Sequence, residues 1–296
     1  MLDEALRQRL EALNRGELPK ESCGTLVKQR PEIESTEPPV PGASHHVGKP
    51  IPGIVRLGDV VTTSAGEHLR IRLPIDSLWP NGSQLVAGRQ SHLRRLLDDA
   101  QRAVEPTVVM DAEFAALVSS MPERVVLLDL ETCGLGGAAL FLVALLRTVD
   151  GVPTVELLLA RNYAEEEAVL ETLWQTIAGN NVLVTFNGKA FDWPLVIDRS
   201  IRYRLDAAHA PLAMLHIDML HHARRRWRRQ LPDCRLQTLE QFVCRRKRVG
   251  DIPGHRIPAA YAEFVRTGFE RDMEAILYHN AMDLVTLLDL ALRLAG

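Results

Sequence analysis

Apolar residues are distributed differently in the two halves of the chain. Residues 125–128 are all apolar and run on as Asp-Leu-Glu-Thr, the pattern of a strand buried on both faces. AALFLVALLRTVDG and VPTVELLLAR follow, joined at Asp150-Gly151, and predict an antiparallel hairpin beside that strand. EEEAVLETLWQTIAG then reads as a helix and NVLVTF as a second buried strand. The remainder is mainly helical, apart from HIDML and a Pro/Gly-punctuated loop near DIPGHRIP. In the last helix, MEAILYHNAMDLVTLLDLAL, the apolar stripe is Ile276, Leu277, Leu284, Leu287, Leu288 and Ala291.

The first half is more broken. Leu2, Leu6, Leu10 and Leu13 mark one face of a short helix, and residues 19–53 are rich in Pro, Gly, Ser and Glu, as in a linker. His45 and His46 lie in that stretch, but adjacent histidines do not easily face one metal. Residues 54 to about 79 hold short β-prone runs with a turn at Ser64-Ala65-Gly66, and SHLRRLLDDAQRAV is helical. The expected organisation is therefore a smaller α+β region over residues 1–110, made of a helix, a linker and a small β element. An α/β domain with a mixed sheet flanked by helices follows over residues 122–296.

Composition narrows the classes. With 46% hydrophobic and 25% charged residues, a core of ordinary size is available. None of Cys23, Cys133, Cys234 and Cys244 sits in a CxxC pair, so neither a zinc ribbon nor a disulfide framework is indicated. The N-terminus has no uninterrupted apolar stretch like that of a signal peptide, and no run of about 18 apolar residues occurs. A cytoplasmic protein with reduced thiols is the expectation.

Candidate chemistry lies in the acids. Asp129 and Glu131 are two apart on the first buried strand, so both side chains share a face, roughly 7 Å apart along it. Like charges about 4 Å apart repel by ~4 kcal/mol at an effective dielectric of 20, and such a pair calls for a cation. The plainer alternative is a solvated strand end before Gly134. Asp192, in TFNGKAFDWP, is either the N-cap of the next helix or a ligand, and Asn187 either a turn former or a substrate contact. On the last helix Asn280 falls on the apolar stripe, Asp283 is its i+3 neighbour, and His279 lies four before Asp283. Three polar residues on one inward edge read as a site. Asp218 is a further acid or, more simply, a helix cap.

The net charge of −3 hides a strongly basic segment, residues 221–250, with ten bases against two acids. Arg224, Arg225 and Arg228 are candidate phosphate contacts there, and Trp227 a candidate base stacker; a solvated basic helix is the alternative. The glycines of ETCGLGGA match neither GxGxxG nor a P-loop and need only a tight turn.

Taken in order, LDLETCGL, FNGKAFDWP and HNAMD resemble the three motifs of the DnaQ-like (DEDD) 3′→5′ exonucleases. With HIDML, LQTLE and DIPGHRIP between them, they resemble its YprB-like, ribonuclease-H-like branch over residues 122–296. The resemblance implies a ribonuclease-H-like fold, with Asp129, Glu131, Asp192 and Asp283 as ligands of two Mg²⁺ or Mn²⁺ ions. It implies a 3′→5′ exonuclease acting on a single-stranded DNA or RNA end, with His279 as general base. The family places His five residues, or Tyr four residues, before the last Asp; here Tyr278 is at minus five and His279 at minus four. That reversal leaves open a nucleic-acid-binding module of the same fold with little turnover, serving a helicase or repair partner. An endonuclease is the third reading.

Overall fold

The computed structural model describes residues 46–48, 51–102, 110–134, 138–205, 213–250 and 252–296. The described residues open with strands β1 (His46–Gly48), β2 (Asp59–Thr63) and β3 (Gly66–Pro74), then helices α1 (Gly82–Arg102) and α2 (Ala112–Ser120). Strands β4 (Val125–Thr132), β5 (Leu140–Val149) and β6 (Val152–Leu159) follow, then helix α3 (Glu166–Ile177), strand β7 (Val182–Thr185) and helix α4 (Asp192–Arg202). The last third holds strand β8 (Leu215–Asp218), helices α5 (Met219–Trp227) and α6 (Leu236–Phe242), strand β9 (Arg246–Arg248), and helices α7 (Ile257–Thr267) and α8 (Arg271–Leu294).

Seven strands form one mixed sheet in the order β2-β3-β6-β5-β4-β7-β8. The all-apolar start of β4 is explained by its place: it pairs antiparallel with β5 on one side and parallel with β7 on the other. Asp150 and Gly151 take positive φ at the β5–β6 turn, as a tight hairpin requires. HIDML supplies a further strand, β8, parallel to β7. By length and composition α8 is apolar enough to cross a membrane, but 83% of its most apolar window is buried, as in a core helix.

The boundary expected near residue 110 needs correction. The β2–β3 hairpin is no separate element: β3 pairs with β6 from Leu69↔Leu159 to Pro74↔Thr154 and completes the main sheet. Ile71 and Leu73 are buried in the same core as β4, β5 and β6. Physically, an isolated two-stranded hairpin is marginal, and β6 would otherwise offer an unpaired edge. Glu156 clamps this junction, accepting from Arg72 Nε at 2.8 Å and Arg147 Nε at 2.6 Å. Residues 54–57, expected as strand, form a 3-10 turn. The helix marked by Leu2 to Leu13, most of the linker, His45 and the His46 side chain lie outside the described residues. Residues 46–48 of the linker pair in parallel with β9.

A second clamp fixes α1 and β9 to α8. Asp289 is 1% exposed and pairs with Arg89, with Arg246 at 3.0 Å and with Arg293 at 2.9 Å. The Arg246 guanidinium also lies 4.7 Å from the Trp79 ring centroid.

If the hairpin belongs to this core, Ile71→Ala should cost about 2–5 kcal/mol of unfolding free energy, the range for deleting a buried aliphatic side chain. Urea unfolding measures it; a loss below about 1 kcal/mol would make the hairpin peripheral.

Candidate active site

The site forms where β4 leaves its most protected stretch. Four buried residues carry the strand to Asp129, and a register shift between Glu131 and Thr132 ends regular pairing with β5. Asp129 and Glu131 are half-buried on a common face. The Asp129 carboxyl is held well above the usual carboxylate range by burial, then by the charges of Asp283, Asp192 and Glu131, with Arg248 opposing. Glu131 is pushed up to about 7, first by burial; His279 and a hydrogen bond from Asn280 oppose, while Asp283 and Asp192 add to the rise. The four acids marked in the sequence thus come together in one electrostatic neighbourhood.

Asp192 reaches it through a tightly specified loop after β7. Asn187 sits at φ 66°, and a Cβ at Gly188 would lie 2.5 Å from Thr185 Cβ, so only glycine fits. Asp218, 2% exposed at the end of β8, staples the loop: it accepts from the backbone N–H of Asn187 at 2.7 Å and of Lys189 at 3.2 Å. It also caps α5 through Leu220 N–H at 3.1 Å. The N-cap of α4 is Phe191, so Asp192 is the first residue inside the helix rather than its cap. Its carboxyl is raised to about 6, by burial first and by Asp218. Asn187 takes the positive φ of a turn former.

Helix α8 brings the remaining groups. Asn280 is fully buried and donates from Nδ2 to Asp129 Oδ2 at 2.5 Å. It therefore supports a carboxylate from within, which corrects its expected contact with substrate. Its Oδ1 is buried without a hydrogen-bond partner among the described residues. His279 Nε2 stands 3.3 Å from Asp283 Oδ2, as i,i+4 spacing dictates.

Two site residues escape the sequence reading. Arg248 on β9, its side chain 5% exposed, pairs with Asp283 and with Glu240 at 2.7 Å. Glu240, buried on α6, is a fifth carboxyl, raised by burial first and lowered chiefly by Arg248. Charge counting could not separate Arg248 from its neighbours. The only signal was strand alternation: Arg246 and Arg248 turn inward while Arg245 and Lys247 are exposed.

The rest of the basic segment lies on the surface. Arg224, Arg225, Arg226, Arg228, Arg229 and Gln230 line a groove of about 470 Å³. Trp227 does not face outward with them; it packs half-buried against the cluster of Ala223, Leu239, Cys244 and Leu290, which removes it as an exposed stacking platform.

Carboxylate oxygens are hard donors suited to Mg²⁺ or Mn²⁺, and the excess of acids about Asp129 fits such a cation chemically. Among the described residues no three His, Cys, Asp or Glu side chains are grouped as a ready cage.

The raised values carry a sign. Glu131 at about 7 and Asp192 at about 6 bind protons in the folded protein that the unfolded chain releases at lower pH. Their stabilising contribution is full below the unfolded values and is lost as pH rises through 6 and 7. Metal-free Glu131→Gln should therefore gain on wild type in Tm as pH climbs from about 5 to about 8. A pH series of thermal unfolding checks this, and a constant difference would contradict it.

Known proteins resemble the chain to different extents. Over 170 residues it is 33% identical to the uncharacterized protein YprB of Bacillus subtilis (strain 168), covering 56% of this chain and 41% of that protein. The chain thus spans about two fifths of that relative's length. The family B DNA polymerase of the archaeon Pyrobaculum calidifontis is similar at a TM-score of 0.47 and 12% identity, over 83% of this chain and 45% of the polymerase. The family model of the RNase_H superfamily matches residues 126–295, from the second residue of β4 to the residue just after α8, and the chain belongs to that superfamily.

Proposed function

We propose that the protein is a metal-dependent nuclease that removes nucleotides from the 3′ end of DNA or RNA. The observation that carries this reading is the convergence of Asp283, Asp192 and Glu131 on Asp129, four acids from three separate elements. Membership of the RNase_H superfamily supports a nuclease.

Asp129, Glu131, Asp192 and Asp283 would hold the Mg²⁺ or Mn²⁺ ions, a pair in the proposed mechanism. Bound there, the ions supply an activated water and charge stabilisation at the leaving oxygen. The chain's own residues do the rest. Asn280 fixes the Asp129 carboxylate, and Asp218 and Gly188 fix the loop that presents Asp192; His279, beside Asp283, would orient or deprotonate the attacking water. Exposed Arg224, Arg225 and Arg228 would track the phosphate backbone, so recognition rests on charge more than on stacking by Trp227.

One observation favours a binding module of the same fold instead. Asp283 is already engaged by Arg248 and His279.

End-labelled single-stranded DNA and RNA incubated with Mn²⁺ separate these readings. The expected product is a ladder shortening from the 3′ end; internal cuts indicate an endonuclease, and binding without products the module. Asp129→Ala should lower cleavage by more than about a hundredfold, beyond the loss from an outer partner alone, while leaving binding intact. A variant that still cuts would sink the site assignment. Replacing Arg224, Arg225 and Arg228 by Ala should flatten the log–log salt dependence of binding by roughly 0.7 for each phosphate no longer neutralised. An unchanged slope would take the groove out of the binding surface.

A further inference from the structure

We infer that Arg248 is a resident counter-cation that holds Asp283 in the metal-free protein and must hand it over, swinging onto Glu240, when a divalent ion binds. The inference rests on the metal-dependent reading above and adds a device that this reading does not require.

The geometry is specific. Arg248 donates from Nε to Glu240 Oε2 at 2.7 Å, from Nη1 to the His279 carbonyl at 3.1 Å, and from Nη2 to Asp283 Oδ1. The other carboxylate oxygen of Asp283 lies 3.3 Å from His279 Nε2. Both oxygens of one of the four acids are therefore committed to cationic or donor groups of the protein itself. A guanidinium with its side chain 5% exposed has no stable place in water nearby, so it needs a second carboxylate if it leaves the first.

Glu240 provides one. It is 3% exposed, it already holds Arg248 through Oε2, and its Oε1 is buried with no hydrogen-bond partner among the described residues. A carboxylate that meets a guanidinium through one oxygen while the other stays vacant is half of a bidentate pair. Rotation of the Arg248 fork away from Asp283 would complete that pair and satisfy the orphaned oxygen in the same movement. Neither end is loosely held. Glu240 is fixed by α6, and β9, which carries Arg248, is paired along its length with β1. The hand-over thus needs only a side-chain rotation. Its consequence is a metal-free site that stays folded despite its acids, with divalent affinity lowered by competition.

Calorimetric titration of Mn²⁺ into the metal-free protein tests this without reference to cleavage. The variant to compare is Arg248→Met combined with Glu240→Gln, which removes both members of the pair and leaves neither charge buried alone. Competition predicts Mn²⁺ binding tighter than wild type by about tenfold or more, the scale of one charge-assisted hydrogen bond relinquished. Should that variant not fold, Arg248→Lys keeps the charge but loses the fork, and tighter binding is again expected. An arginine that merely presents Asp283 to the ion gives the opposite sign, weaker binding on removal, and that result or an unchanged affinity overturns the inference while leaving the nuclease reading standing. If neither wild type nor variant binds Mn²⁺, the metal-dependent reading falls and takes this inference with it.

Discussion

Mutual repulsion among acids set into a half-buried pocket is the constraint around which this molecule is built. Taking one carboxylate out of water is costly, and taking out four that share a neighbourhood costs more than any local contact returns. The rises at Asp129, Glu131 and Asp192 are that cost in another form, with burial first among their causes. A chain selected for stability alone would not put Asp129 directly after four buried aliphatics in a central strand. The strain is borne because β4 is held on both sides, by β5 and β7, and from above by α8.

The pocket's precision comes from residues that do not line it. Asp218 fixes a loop whose turn only Gly188 permits, and the loop in turn sets the start of α4 and hence Asp192. Asp289, six residues beyond Asp283, locks α8 to α1 through Arg89 and to β9 through Arg246. Buried polar groups of this sort are stabilising only when nearly every partner is present, so they register the helix and strands that carry the acids. HIDML and LQTLE, apolar stretches with one acid each, supply Asp218 and Glu240 for this purpose.

The central part of the fold was legible because its signal is local. An all-apolar run ending in Asp-x-Glu, an Asp-Gly turn and a helical stripe interrupted by Asn280 and Asp283 each declare their setting without a partner. What stayed hidden depends on partners. Alternation in β3 reveals which residues face inward, but not that the edge waiting for them is β6, more than eighty residues later. The stripe places Asn280 inside, yet cannot say that its amide meets Asp129, 151 residues away, and so is spent on a carboxylate of the protein itself. Basic neighbours suggest a stacking role for Trp227, whereas its ring follows the apolar side of α5 toward Leu239 and Leu290.

The basic segment shows why composition is a poor guide to the use of charge. Its ten bases give one electrostatic impression, but three geometries divide nine of them, Arg235 pairing separately with Asp233. On α5 and just beyond it, the arginines project from the solvated side and line an open groove. From Arg245, just before β9, to the end of that strand, adjacent residues part: Arg245 and Lys247 stay with the solvent, Arg246 goes to Asp289, and Arg248 goes to Asp283 and Glu240. A one-residue slip of that strand would bury two charges with no acid to meet and expose the two that have one. The parallel pairing with residues 46–48 opposes such a slip, so a three-residue strand contributed from far upstream helps to decide which cation the site receives.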